Sequence, residues 1–240
     1  MALFTIADLH LSTLDSTNKS MEVFGQRWDN YIQRIEKNWR HLITDDDTVV
    51  IPGDISWALS IEEATSDLKF LDSLPGRKIL GKGNHDFWWS TLTKMKRFFE
   101  ENNISTIDIL HNNAIETENY ILAGSRGWFV DKSVQPAKSL TADYEKILNR
   151  EKIHLRMSLE EAKKMQLSSD KEILVFFHFP PIWNGFECIE IIDILKEYQI
   201  ERVFFGHIHG SYNVSSSFEY DGIKFKMVSA DFVDFIPQIV

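Results

Sequence analysis

The sequence predicts an α/β domain, and three observations carry that prediction. Short apolar, β-branched or aromatic runs alternate with stretches of helical period, several of these runs end in polar residues, and 43% of the 240 residues are hydrophobic. A chain of this length and composition buries a sizeable core, and strand–helix alternation places functional loops at strand ends. It reads as a single domain, residues 1–240, without internal repeats or a Pro/Gly/Ser-rich linker.

The elements follow in order. Residues 2–7 form a first buried strand. Residues 28–42 carry Tyr31, Ile32, Ile35, Trp39 and Leu42 on one helical face. Strands at 48–51 and 77–80 are separated by a helix at 61–71, and a helix at 91–101 comes next. A strand at 172–177, a helix at 187–198 and a strand at 202–205 repeat the alternation. Segments 212–217 and 223–229 flank Tyr220-Asp221-Gly222, a turn signal that predicts a hairpin. The stretch from about 126 to 170 is polar, lacks a strand-like run and holds a long helix at 142–165, so it reads as an insertion or lid on the core.

Charge and cysteine usage set outer limits. With 36 acidic against 26 basic residues the net charge is −10, with eight His left out of the sum. Such a surface repels polyanions, which argues against a long nucleic acid or an anionic membrane as partner. The longest apolar runs, Val49-Val50-Ile51 and residues 173–177, are far short of the ~20 residues of a membrane helix. Cys188 is the only cysteine and reads as an inert, partly buried thiol, so a reducing compartment is expected. Met1 leads directly into a strand without a basic and apolar leader, so a cytoplasmic location is expected.

The informative residues stand immediately after the apolar runs. Asp8-Leu9-His10 comes after the first, Gly53-Asp54 after the second and Gly83-Asn84-His85-Asp86 after the third. His178 ends the run at 175–177, and Gly206-His207-Ile208-His209 succeeds the run at 203–205. Five of the eight His therefore sit at strand ends, with three Asp and one Asn. Without a metal, each of these buried polar groups needs its own partner, at about 1–3 kcal/mol for each failure. In His207-Ile208-His209 and Asp8-Leu9-His10 an extended backbone points both polar side chains to one side. Mixed nitrogen and oxygen donors suit Mn, Fe, Zn or Co, and the lack of thiolates rules out a structural Cys-type zinc site.

These five blocks, in this order over positions 8–209, resemble the full signature of the calcineurin-like metallophosphoesterase superfamily. The resemblance implies a four-layer α/β/β/α sandwich of two mixed sheets flanked by helices. It implies one metal ion on Asp8, His10, Asp54 and His209, and a second on Asp54, Asn84, His178 and His207, with Asp54 bridging. His85 is left to face the substrate. The implied activity is binuclear metal-dependent hydrolysis of phosphate esters by in-line attack of a metal-bridging hydroxide. A phosphomonoesterase is the leading reading. A phosphodiesterase or nuclease acting on a nucleotide is the alternative, and a non-catalytic metal-binding scaffold is a reading of another class.

The charge count fits this chemistry. Two divalent ions against the carboxylates of Asp8 and Asp54 leave a positive centre inside an acidic protein, suited to a small phosphorylated metabolite, nucleotide or phosphopeptide. His85 suits a general acid, and Asp86 beside it reads either as the holder of its imidazole tautomer or as a helix N-cap. Trp57, Phe87, Trp88, Trp89, Trp128 and Trp183 lie near the motifs and read as cleft walls or core packing. Arg126 after Gly124-Ser125 reads as a candidate phosphate clamp; Lys132, Arg150 and Arg156 read as solvated charges. Asp45-Asp46-Asp47 reads as an exposed turn, and His41, His111 and His154 lack motif partners.

His85→Ala is expected to lower kcat by about 10²–10⁴-fold with metal retained. Asp54→Ala is expected to lose metal. Steady-state kinetics and metal analysis of the purified variants check both.

Overall fold

The computed structural model describes residues 1–13, 20–128 and 142–240, the side chains of residues 142 and 143 excepted. Its strands and helices, in chain order, are β1 (Leu3–Thr5), α1 (Tyr31–Leu42), β2 (Thr48–Pro52), α2 (Thr65–Ser73), β3 (Arg77–Gly81), α3 (Leu92–Glu101), β4 (Ile107–Ile109), β5 (Ala114–Glu116) and β6 (Tyr120–Gly127). They continue with α4 (Ala142–Gln166), β7 (Glu172–Phe179), β8 (Ile182–Trp183), β9 (Phe186–Glu187), α5 (Ile189–Glu197), β10 (Arg202–Phe205), β11 (Ser217–Tyr220), β12 (Ile223–Met227) and β13 (Gln238–Ile239).

Two large mixed sheets result. The first has the order β13-β1-β2-β3-β4, with β1 to β4 parallel and β13 antiparallel at the edge. The second has the order β11-β12-β10-β7-β6-β5, with β6, β7, β10 and β12 parallel.

Strand alternation divides the apolar residues among three layers. Val49 and Ile51 of β2 meet Ile35, Trp39, Leu68, Leu71, Met95 and Phe99 from α1, α2 and α3. Val50, between them, faces the other way and joins Leu3, Ile79, Leu174, Phe176 and Phe204 between the two sheets. Val175 and Phe177 of β7 face Leu155, Leu159, Ile191 and Leu195 from α4 and α5. Helices cover both outer faces, and the architecture is the expected α/β/β/α sandwich.

Local chemistry accounts for the element ends. The Thr91 side chain accepts a hydrogen bond from Lys94 N and caps α3. The β11–β12 hairpin turns on Asp221 (φ 51°) and Gly222 (φ 80°), the two left-handed positions of a two-residue loop. Its register, Tyr220↔Ile223, starts the first strand at Ser217, so the predicted strand at 212–217 is displaced toward the turn. The helix predicted at 142–165 is α4, and its buried Leu148, Leu155, Leu159 and Ala162 lie in the second-sheet core. This part of the stretch thus forms an outer layer of the sandwich, while residues 129–141, Lys132 among them, lie outside the described residues. Among the described residues no helix is long and apolar enough to cross a membrane.

Cys188 is buried, and burial pushes its thiol up to about 12. Phe176 and Phe204 stack between the sheets with centroids 5.1 Å apart. Phe176→Ala is expected to destabilise the fold by about 3–5 kcal/mol, read as a lower urea midpoint with the same slope.

Candidate metal centre

The five motifs meet where the carboxyl ends of the two sheets come together. Ala7 N donates to Val228 O (2.8 Å) and Ala230 N to Ala7 O (2.9 Å), stitching the first sheet to the second at this point. Beyond β1 and β2 the chain leaves the sheet with left-handed residues: Asp8 (φ 60°), His10 (φ 45°) and Asp54 (φ 53°). His207, after β10, does the same at φ 70°. Such backbones are costly for residues other than glycine, and they cluster where a site requires them.

Two glycines are dictated by close approach. A Cβ on Gly83 would lie 2.0 Å from Asp54 Oδ1, and one on Gly206 would lie 2.6 Å from Asp8 Oδ2. Each Gly lets a neighbouring loop press against one of the two buried carboxylates.

Ligand-type atoms converge in two groups, Asp8–His10–His209 and Asp8–Asp54–His178, each with its atoms within 4.8 Å of one another. Asp54 Oδ2 lies 3.6 Å from His10 Nε2 and 3.5 Å from His178 Nε2, and so stands between the two groups. Asp8 Oδ1 is 3.6 Å from His178 Nδ1 and 3.9 Å from His209 Nε2. Asn84 Oδ1 joins the second group, 2.7 Å from His178 Nε2. The His207 ring lies beside that of His178, with centroids 5.1 Å apart, and its backbone N–H donates to the Asp8 carboxylate.

The donor set fits a cation. Asp8, Asp54, His10 and His178 are at most 2% exposed. Burial pushes the Asp8 carboxyl up to about 8, raises that of Asp54 and pulls the His10 and His178 imidazoles well below their usual range. His10 Nε2 and His209 Nε2 face each other at 3.3 Å, and His10 Nδ1 has no hydrogen-bond partner among the described residues. Divalent cations relieve such a site by giving the carboxylates their counter-charge and the imidazoles an electron-pair acceptor.

Asp86 is brought to the site, but in a different role from the one expected. Its carboxylate accepts hydrogen bonds from the backbone N–H of Gly83, Asp54, Ile55 and Ser56 and from the Trp88 indole. Both oxygens are thus engaged in locking the Asp54 loop to the Asn84 loop, and α3 begins further along the chain with Thr91 as its cap. Asp67 does the same for neighbouring loops, accepting from Thr13 N (2.8 Å) and from the Ser56 hydroxyl.

Asp231 was not singled out in the sequence. It is buried, and its Oδ1 lies 2.8 Å from His209 Nδ1 while Oδ2 accepts from Gly210 N and the Tyr212 hydroxyl. Burial pulls the His209 imidazole down, but the Asp231 hydrogen bond and the Asp8 and Asp54 carboxylates outweigh it and take it up to about 9. Its signal was present: Asp231 follows the apolar end of the last long strand, as Asp8 and Asp54 follow theirs.

Trp57 stacks on His10 (4.8 Å, 22°) and lies 4.5 Å from the His85 ring, so it walls the site. Phe87 is 59% exposed beside His85, whereas Trp88 is core; Trp89, Trp128 and Trp183 are partly buried against the two outer cores. Asp47 is buried and anchors its turn by accepting from Ala2 N and Thr44 N. Arg156 forms a two-bond pair with Glu197 away from the motifs.

The sequence model of the family described as calcineurin-like phosphoesterase matches residues 1–211. The chain belongs to this family. Among curated proteins none matches the sequence. Among solved structures, phosphopantetheinyl hydrolase (PptH) from Mycobacterium tuberculosis is 14% identical over 100% of this chain and 95% of that one, with a TM-score of 0.57. AQ665 from Aquifex aeolicus, a protein of unknown function, is 19% identical over 99% of this chain and 95% of its own, at a TM-score of 0.44. TT1561 of Thermus thermophilus is 11% identical over 99% and 97%, at 0.49. The likeness to PptH is one of fold. Family membership and the converging donors make this calcineurin-like phosphoesterase a metal-dependent hydrolase.

Asp231→Asn is expected to weaken metal binding by about 10–100-fold with the fold retained. Calorimetric metal titration alongside circular dichroism checks it, and an unchanged affinity would remove Asp231 from its positioning role.

Proposed function

We propose that the protein hydrolyses phosphate monoesters at a binuclear centre held by Asp8, His10, Asp54 and His209 for one ion and by Asp54, Asn84, His178 and His207 for the other. The observation that carries this reading is the convergence of the Asp8, His10, Asp54, His178 and His209 donor atoms with His85 alongside, its ring 5.6 Å from that of His10. When bound, two such ions neutralise phosphoryl oxygens and acidify water.

The chain's own residues supply the rest. The His85 backbone N–H donates to Asp54 Oδ1 (2.8 Å), which ties the position of the imidazole to that of the central carboxylate. From there His85 delivers a proton to the leaving alkoxide oxygen, the group that otherwise departs poorly. Trp57, against both His10 and His85, limits the imidazole's freedom and keeps bulk water off that side. Asp86 and Asp231 hold the two loops and the His209 ring in place. A small phosphorylated metabolite, nucleotide or phosphopeptide in a cytoplasmic setting is the substrate class this centre suits, within a chain of net charge −10.

The test is a rate comparison on protein loaded with Mn, Fe, Zn or Co, using 4-nitrophenyl phosphate and bis-(4-nitrophenyl) phosphate. The monoester is expected to be turned over faster, and His85→Ala to lower that rate. Preference for the diester would replace the monoesterase reading, and inertness toward both with every metal would end the catalytic one.

A further inference from the structure

Beside the metal centre lies a second polar cluster that the hydrolysis of a simple monoester does not use. Lys82 follows β3 two positions before Asn84, and Arg126 is the penultimate residue of β6. Arg150, Glu151 and His154 project from α4, and His111 follows β4. These groups are close enough to act on one another. Lys82 feels Arg126, Arg150 and Glu151, His111 feels Lys82, Arg126 and His154, and Glu151 feels both arginines.

The cluster is short of partners. Arg126 Nε, His111 Nδ1, Trp89 Nε1 and Glu151 Oε2 are all buried without a hydrogen-bond partner among the described residues. Glu151 Oε1 is 3.6 Å from His154 Nδ1, and no ion pair among the described residues involves Lys82, Arg126 or Arg150. Buried donors left unpaired, and like charges held together, are both unfavourable unless an acceptor of opposite charge joins them. Among the described residues these three cations meet only the carboxylates of Glu151 and, at Lys82, of Asp86, whose oxygens are already held by backbone donors, so positive charge is left in excess for an anion to match.

The cluster also adjoins the candidate metal centre. The Arg126 guanidinium lies over the Phe179 ring at 5.5 Å, and that ring packs against His207 (4.5 Å) and His178 (5.0 Å). A guanidinium seated over an aromatic ring can still offer its fork to phosphate oxygens in pairs.

We propose that Lys82, Arg126 and Arg150, with His111 and His154, form a second anion subsite that binds a further phosphate group of the substrate. The preferred substrate class is then a bisphosphorylated small molecule, one phosphate at the metal centre and the other on this cluster. The inference rests on the phosphate-ester reading above, and its test does not depend on turnover.

The probes are α,ω-alkane bisphosphonates with chains of three to six carbons and the matching alkyl monophosphonates, which resist hydrolysis. Binding of each to manganese-loaded protein is measured by calorimetry. At the chain length that spans both sites, the bisphosphonate is expected to bind at least about tenfold more tightly than its monophosphonate. Arg126→Ala is expected to abolish that preference, Arg126→Lys to restore it only in part, and Arg150→Ala, at an exposed helix position, to reduce it. Equal affinity for both probe types at every length, or an undiminished preference in Arg126→Ala and Arg150→Ala, overturns the subsite. Activity toward 4-nitrophenyl phosphate is measured separately, so a protein inert as an enzyme but selective for bisphosphonates refutes the hydrolytic reading and retains the subsite.

Discussion

Two buried carboxylates at the seam between the sheets are the constraint on which the rest of the structure depends. Asp8 and Asp54 place carboxyl groups where they are almost fully buried, at a cost to their charged form. The fold meets that cost from both sheets. The Asp8 carboxylate accepts from His207 N, beyond the second sheet, and Asp54 Oδ1 accepts from His85 N, beyond β3. The surrounding imidazoles and the Asn84 amide add no negative charge of their own.

Holding those carboxylates in register takes more residues than those whose donor atoms face the centre. Left-handed backbone at Asp8, His10, Asp54 and His207 turns each chain sharply out of its sheet, and that strain persists only because the surroundings over-determine it. Asp86 supplies much of that determination, since one carboxylate gathers donors from both the Asp54 and the Asn84 loops. Asp231 plays the matching part on the other side by orienting the His209 ring. Both act through other residues, and neither role requires contact with the substrate.

The layered fold was legible in the sequence at most strands with two-sided burial, although β6, buried on both faces at Ile121, Leu122 and Ala123, was not among the strands predicted. Residues 48–51, 77–80, 172–177 and 202–205 have apolar residues on both faces because each lies between helices and the opposite sheet, and their runs stand out at once. Strands β4, β5 and β13 were missed, being only two or three residues long and lying at sheet edges, too short for any period to register. The first hairpin strand was displaced because Tyr212 and Val214 look strand-like, whereas the Asp221–Gly222 loop sets the pairing. α4 looked like an insertion because its polar residues dominate the composition, while those that decide its place, Leu148, Leu155 and Leu159 among them, are few in a helix of 25 residues.

By itself the sequence determined the fold class and the identity of the residues that gather at the centre, because strand-end motifs must meet wherever parallel strands share a carboxyl edge. The choice of partner for each polar group was decided by the tertiary structure. Asp86, adjacent to His85 in the chain, turns to the backbone of a loop some thirty residues away, and Asp231 reaches back to His209. The cluster of Lys82, Arg126 and Arg150 likewise exists only once β3, β6 and α4 are packed together. Hydrogen bonds and charges act over a few ångströms of space, and sequence proximity does not set those distances.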